Sequence, residues 1–178
     1  MRMYIIRHGK VDYRWSSRCD SEGFDKDCFE YDRAPLANGV YELPTAEKLP
    51  VYISTLQRSR DTADKLFGGG EYAATELINE VPLRSSLDTK LKLPQWFWEL
   101  SGRLQWYTDN RRQPEVKSCT RERAARFIAM AEETGKDCYV ITHGFFMHTL
   151  RSELKKRGYK TSGTRLKYKN GGCLEAQR

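Results

Sequence analysis

Two short stretches share a spelling: YIIRHG at residues 4–9 and YVITHG at 139–144. Each runs Tyr, three residues, His, Gly, and together they hold two of the chain's three histidines. A neutral imidazole is a nucleophile, and a protonated one stabilises negative charge. Each His–Gly pair closes an apolar run, and open α/β sheets place ligand-binding residues at the carboxyl ends of such strands. Arg7 precedes His8, and VYIS (51–54) leads into Thr55 and, one helical turn on, Arg58. ATELI (74–78) leads into Glu80. Two arginines, two histidines and a carboxylate suit a phosphoryl group. Guanidinium forks hold its oxygens bidentately. One histidine can attack phosphorus, a second, protonated one can stabilise the transferring oxygens, and a carboxylic acid can protonate the leaving oxygen and then, as carboxylate, activate water. This chemistry calls for no metal and no cofactor, and no Asp/His cluster has metal-ligand spacing. The third histidine, His148, lies five residues beyond His143 and is assigned to another helical face.

The elements that must position these groups follow from periodicity. MYII (3–6), VYIS (51–54) and CYVIT (138–142) are short, apolar and partly β-branched, and are expected to be buried strands. ATELI (74–78) is a weaker fourth, and GCLEAQ (172–177) a candidate fifth. Residues 56–67 have helical spacing with Thr55 as N-cap and Gly68 as stop. Residues 121–134 follow suit, with Thr120 as cap and Gly135 as end, and 145–157 carry Met147, Leu150 and Leu154 on one stripe, with Gly158 after them. The helices starting near 56 and 145 are expected to aim backbone N–H groups at an anion. Strands alternating with helices predict an α/β fold with a mainly parallel sheet. Within 93–110, helical spacing puts Leu93, Phe97, Leu100, Leu104 and Tyr107 on the buried face and leaves Trp98 and Trp106 off it. The mixed-charge stretch 10–33 is expected to be a loop, either lining an entrance or packed on the surface, and 84–118 a second variable segment, with 96–100 serving as lid or core.

The bulk numbers exclude other classes. The 178 residues suit one domain, 1–178. No apolar run reaches the roughly 18 residues of a membrane span, and MRMYII is too short for a signal peptide, so a cytoplasmic protein is expected. The five cysteines (19, 28, 119, 138 and 173) form no CxxC and are expected to be reduced. The net charge of +7 resides in residues 151–178, with nine Lys/Arg against two Glu. No RNA-binding motif accompanies it, so a solvated surface is expected and a nucleic-acid partner is not.

The series RHG (7–9), STLQRSRDTA (54–63), LINE (77–80) and THG (142–144) resembles the histidine phosphatase superfamily, the phosphoglycerate-mutase-like proteins, from residue 1 to about 155. RAPLANG (33–39) is similar to the family segment that opens its first long helix. The resemblance implies a three-layer α/β/α fold with a mainly parallel central sheet. It implies a phosphorylated nucleophile at His8, which must be neutral to attack, a phosphoryl pocket of Arg7, Arg58 and His143, with His143 expected to be cationic, and an acid/base at Glu80. Lys10 stands where the family often has Glu or Gln, and Arg14 where it often has Asn, adding positive charge at the mouth. Phe145 and Phe146 follow THG in place of small or polar residues, so Lys10, Arg14 and Phe145 are candidate substrate contacts. The Gly-x-Trp-Glu-Gly pattern after Glu80 is missing, and the helix expected between Pro35 and Val51 is short and carries Pro44. The expected activity is hydrolysis of a small phosphate monoester, with inorganic phosphate as product. The alternatives are a phosphoglycerate-type mutase, a protein phosphohistidine phosphatase, and a non-catalytic module binding through the basic C-terminal segment.

Overall fold

The computed structural model describes residues 1–162 and 168–178; residues 163–167 of the basic segment lie outside the described residues. The strands are β1 (Arg2–Arg7), β2 (Arg18–Cys19), β3 (Val51–Ile53), β4 (Ala73–Ala74), β5 (Leu93–Pro94), β6 (Cys138–Thr142), β7 (Lys160–Ser162) and β8 (Cys173–Gln177). The helices are α1 (Ser21–Arg33), α2 (Gln57–Phe67), α3 (Gln95–Tyr107), α4 (Lys117–Thr134) and α5 (Gly144–Lys156). Side chains alternate across a strand, so each buried run divides between two faces. Met3 and Ile5 of β1, with Cys138 and Val140 of β6, pack against α4 and α5 through Phe127, Ile128, Met147 and Leu150. Tyr4, Ile6, Tyr139 and Ile141 face the other way, toward Ala63, Leu66 and Phe67 of α2. Helices thus cover both faces of one sheet, whose strand order is β4-β3-β6-β1-β8-β7. β4, β3, β6 and β1 pair in parallel. β8 runs antiparallel to β1 and to β7.

The register explains the repeated spelling. β1 and β6 are parallel neighbours in which Arg7 pairs with Thr142, so the next residue of each strand, His8 and His143, leaves the sheet at the same edge. The His8 N–H donates to Thr142 O at 2.9 Å, carrying the ladder one step further.

Several expected elements differ. The stretch expected to be a loop at 10–33 becomes α1 from Ser21, capped by Asp20, whose carboxylate accepts from Gly23 N–H; Phe24 anchors it beside Trp98. ATELI yields strand only at Ala73–Ala74, before a 3-10 turn over Glu76–Ile78 capped by Thr75. α2 begins at Gln57 after Leu56, because Thr55 is engaged with Asn79 instead of capping. α4 begins at Lys117, so Thr120 lies inside it and bonds Trp106 Nε1 at 2.9 Å. No helix forms among residues 35–50; this stretch instead meets the loop after β1, with Val11 bridging Leu36. Among the described residues of the C-terminal segment, β7 and β8 form the antiparallel end of the sheet, and Arg157, at the end of α5, and Arg178 both pair with Glu132. Among the described residues no helix is long and apolar enough to cross a membrane.

α3 departs in part from the expected face: Leu93 and Phe97 pack, half-buried, beside Trp98 as expected, but the rest is reversed. Leu100, Leu104 and Tyr107 are exposed, while Trp98 and Trp106 are buried. An indole enters a core when its N–H finds an acceptor: Trp98 Nε1 donates to Cys19 O at 3.1 Å, and Trp106 Nε1 to Thr120. Gly102 lets the helix approach Leu83, whose methyl would lie 2.7 Å from an added Cβ. Trp98→Ala is therefore expected to cost roughly 3–5 kcal/mol, whereas Trp96→Ala, at an exposed position, stays within about 0.5 kcal/mol. Urea unfolding of both variants checks this, and equal losses would contradict the assignment.

Candidate active site

The edge where β1, β3 and β6 end carries the predicted residues. The rings of His8 and His143 lie 4.9 Å apart between centroids, and their residues are 1% and 0% exposed. Gly9 O lies 2.7 Å from His8 Nδ1. A carbonyl only accepts, so Nδ1 carries the proton and Nε2 keeps its lone pair, as assigned from the hydrogen-bond network. Burial first, and then the Arg58 charge, push the His8 pKa down to about 3.

His143 is bonded on both nitrogens. Arg58 Nε donates to Nδ1 at 3.2 Å. Nε2 lies 2.6 Å from Ser54 Oγ, whose own hydroxyl donates to Ser59. An arginine donates only, so Nδ1 must be the acceptor and Nε2 the protonated atom. Burial and then the neighbouring Arg58 hold His143 well below its ordinary pKa. The expectation of a cationic His143 is corrected: in this arrangement it is neutral and orients Arg58.

These shifts bear on stability. Below pH 6.5 the unfolded chain takes up protons at positions 8 and 143 that the folded chain refuses. Their contribution to stability is therefore constant above that pH and is lost as pH drops toward about 3. His8 alone contributes a slope of about 1.4 kcal/mol per pH unit across this window. Urea titrations at pH 7 and 4.5 should show the loss, and His8→Ala should reduce it; an unchanged pH dependence in the variant would contradict the assignment.

The arginines differ in engagement. Arg58, 1% exposed, forms a 2.8 Å ion pair with Asp32 of α1. Arg7 Nη1 donates to Tyr168 O at 2.7 Å, while its buried Nε has no hydrogen-bond partner. The glycine after each histidine has a packing reason. A Cβ at position 144 would sit 2.8 Å from Arg7 Nε, and one at position 9 would collide with Tyr41. Glu80 stands at the start of α5, where Oε1 accepts from Phe146 N–H at 3.0 Å and Val81 N–H at 2.9 Å, and Oε2 from Phe145 N–H at 3.3 Å. The N–H groups expected to face an anion are thus occupied in part by Glu80.

A cavity of about 1080 Å³ opens here, with Arg7, Arg58, Glu80 and Phe145 in its wall. Trp15, Phe24 and Tyr31 line it from the 10–33 stretch, and Arg84, Arg103 and Glu115 from 84–118. Lys10 and Arg14 are exposed and do not line it. The backbone after Gly9 pairs with residues 35–37, so neither side chain forms part of the wall, and the buried His8 and His143 do not line it either. His148 does line it, one turn after Gly144, stacked on Tyr168 at 4.4 Å. Asp32, Arg103 and Tyr168 were missed. Their sequence neighbourhoods carry no signal, since each reaches the cavity through tertiary packing.

The model of the histidine phosphatase superfamily (branch 1) matches residues 3–175. Among solved structures, a mycobacterial glucosyl-3-phosphoglycerate phosphatase in complex with VO3 superposes with TM-score 0.53 at 20% identity, covering 87% of this chain and 82% of that one. A mutant of the phosphoserine phosphatase of Entamoeba histolytica, in complex with phosphoserine, has TM-score 0.53 at 16% identity, with coverage of 87% and 80%. The alpha-ribazole phosphatase of Shigella flexneri has TM-score 0.52 at 17% identity, with coverage of 86% and 79%. No curated protein sequence matches this chain. With the model spanning nearly all of its length and the two histidines meeting at one sheet edge between Arg7 and Arg58, the chain belongs to the histidine phosphatase superfamily.

Proposed function

We propose that this protein is a phosphatase that hydrolyses phosphate monoesters through a phosphohistidine on His8. The observation that carries the reading is the His8 ring: its Nδ1 is tied to Gly9 O, its Nε2 lone pair is free of a proton, and Arg7 and Arg58 flank it. The substrate phosphoryl docks on Arg7 and Arg58, both of which line the cavity. It takes from Arg58 a position now held by the Asp32 carboxylate, so substrate and Asp32 compete for that nitrogen. Nε2 attacks phosphorus in line, the N–P bond forms, and the P–O bond to the alcohol breaks as Glu80 delivers a proton to the leaving oxygen. Water that loses a proton to Glu80 then cleaves the N–P bond and releases inorganic phosphate. His143 fixes Arg58 through Nδ1.

The solved relatives are named as phosphatases, in keeping with water as the final acceptor. The test is phosphate release from phenyl phosphate, compared between the wild type and His8→Ala. Equal rates would overturn the reading, and isomer formation from 3-phosphoglycerate without phosphate release would replace it with a mutase.

A further inference from the structure

The proton on the His8 ring is placed by one carbonyl. Gly9 O takes it from Nδ1 at 2.7 Å, and this leaves the Nε2 lone pair free. Such an acceptor holds a ring only while its own peptide plane is held, and the planar Gly9–Lys10 peptide is gripped on both sides. Its N–H, that of Lys10, donates to Tyr41 Oη at 3.1 Å. Its oxygen has a second lone pair, and Asn170 Nδ2 donates to it at 3.2 Å. The same nitrogen donates to His8 O at 3.1 Å. Both partners are carbonyls, which only accept, so the network fixes which way the Asn170 amide points.

The neighbours of Asn170 grip the same strand end. Arg7 Nη1 donates to Tyr168 O at 2.7 Å, Gly171 N–H to Arg7 O at 3.0 Å, and Arg7 N–H to Gly172 O at 3.0 Å. The stretch 168–172 therefore lies along the residues that carry the chemistry, although it is far from them in sequence. Asn170 does not line the cavity and acts through Gly9 instead of on the substrate. A group that orients the partner of a histidine's far nitrogen decides which nitrogen carries the proton. Without the Asn170 amide, the Gly9 oxygen keeps only the ring it is meant to hold. Rotation of that peptide releases the Nδ1 proton, and a ring protonated on Nε2 has no lone pair to offer phosphorus. We infer that Asn170 is a positioning residue, which fixes the Gly9 carbonyl and thereby keeps His8 Nε2 free for attack. The inference rests on the phosphatase reading above and gives the C-terminal segment a part in it.

The experiment reads the two ring nitrogens of His8 by nitrogen NMR of protein isotopically enriched in its histidines, with His8→Ala to identify the signals. At pH 7 the ring is neutral, so the shifts report the tautomer alone. The wild type should show a protonated Nδ1 and a bare Nε2. Asn170→Ala should move a large share of His8 to the Nε2–H form. Its kcat for phenyl phosphate should fall by about 10- to 100-fold, while its affinity for inorganic phosphate changes little, since Arg7 and Arg58 remain. Asn170→Asp keeps the shape but turns an acceptor toward both carbonyls. It should lose at least as much at pH 7 and recover relative to the wild type as the pH falls and the carboxyl regains a proton to donate. A variant whose folded fraction keeps the pure Nδ1–H signature overturns the inference, whatever its rate. So does an aspartate variant with the wild-type rate at pH 7, and so does a wild type protonated on Nε2. If the wild type hydrolyses no aryl phosphate while Asn170→Ala still shifts the tautomer, the phosphatase reading falls and the control of the proton by Asn170 stands.

Discussion

His8→Ala is expected to lower kcat/KM for phenyl phosphate by at least about 10³-fold, with the cradle for phosphate left in place. The size follows from what the side chain supplies. Without Nε2 there is no covalent intermediate, and what remains is binding and charge stabilisation by Arg7 and Arg58. The fold loses only one hydrogen bond, from Nδ1 to Gly9 O, at a position where the backbone is held separately by His8 N–H to Thr142 O and Gly9 N–H to Thr62 Oγ1. Binding of inorganic phosphate should change far less than the rate, because the guanidiniums that hold it are untouched. Quenching the wild type during turnover with alkaline denaturant, in which the acid-labile N–P bond survives, should trap up to one phosphoryl group per chain, and the variant none. Because His8 is neutral above about pH 3, the wild-type rate should show no step at pH 6.5 that disappears with the alanine. A variant within a few-fold of wild type would remove His8 from the mechanism.

How far the sequence carried this picture depended on the range of the interactions involved. The ends of β1, β3 and β6 were legible because each is a short apolar run followed by a polar residue of distinct chemistry, and parallel pairing then brings Arg7, His8 and His143 together. The helices with an apolar stripe, α2 and α5, were also legible to within a residue or two. The failures share a cause. α1 carries alternating charges and a glycine, so its periodicity is weak, and its helical state depends on Asp20 as cap and on Phe24 packing against Trp98. α3 presents apolar residues on every face, so spacing alone could not say which would be buried; the acceptors Cys19 O and Thr120 Oγ1, both distant in sequence, decide it. Asp32 on Arg58 and Tyr168 beneath Arg7 are long-range contacts of the same kind. The protonation of His143 was misjudged because the sequence says nothing of the Arg58–His143–Ser54 chain of hydrogen bonds.

Glu80→Gln should reveal its role through the leaving group more than through the absolute rate. Its carboxylate accepts the Phe145, Phe146 and Val81 N–H groups. A glutamine can keep the shape, but its amide nitrogen must replace one acceptor and cannot shuttle a proton. An alkyl phosphate leaves as a strongly basic alkoxide unless it is protonated, so its hydrolysis should fall by about 10²–10⁴-fold, the range of general acid catalysis. A nitrophenyl phosphate leaves as a stabilised phenolate and needs little help, so formation of its phosphoenzyme should fall much less. Breakdown of the phosphohistidine still requires a base for water. The variant should therefore give a burst of nitrophenolate equal to one turnover, followed by slow release of phosphate. This pattern separates a proton shuttle from a residue that merely caps α5. Loss of the cap would weaken the start of that helix, displace Phe145 and slow both substrates alike, with no burst. Equal losses for alkyl and nitrophenyl esters would therefore assign Glu80 to the architecture of the site and leave the proton to another group.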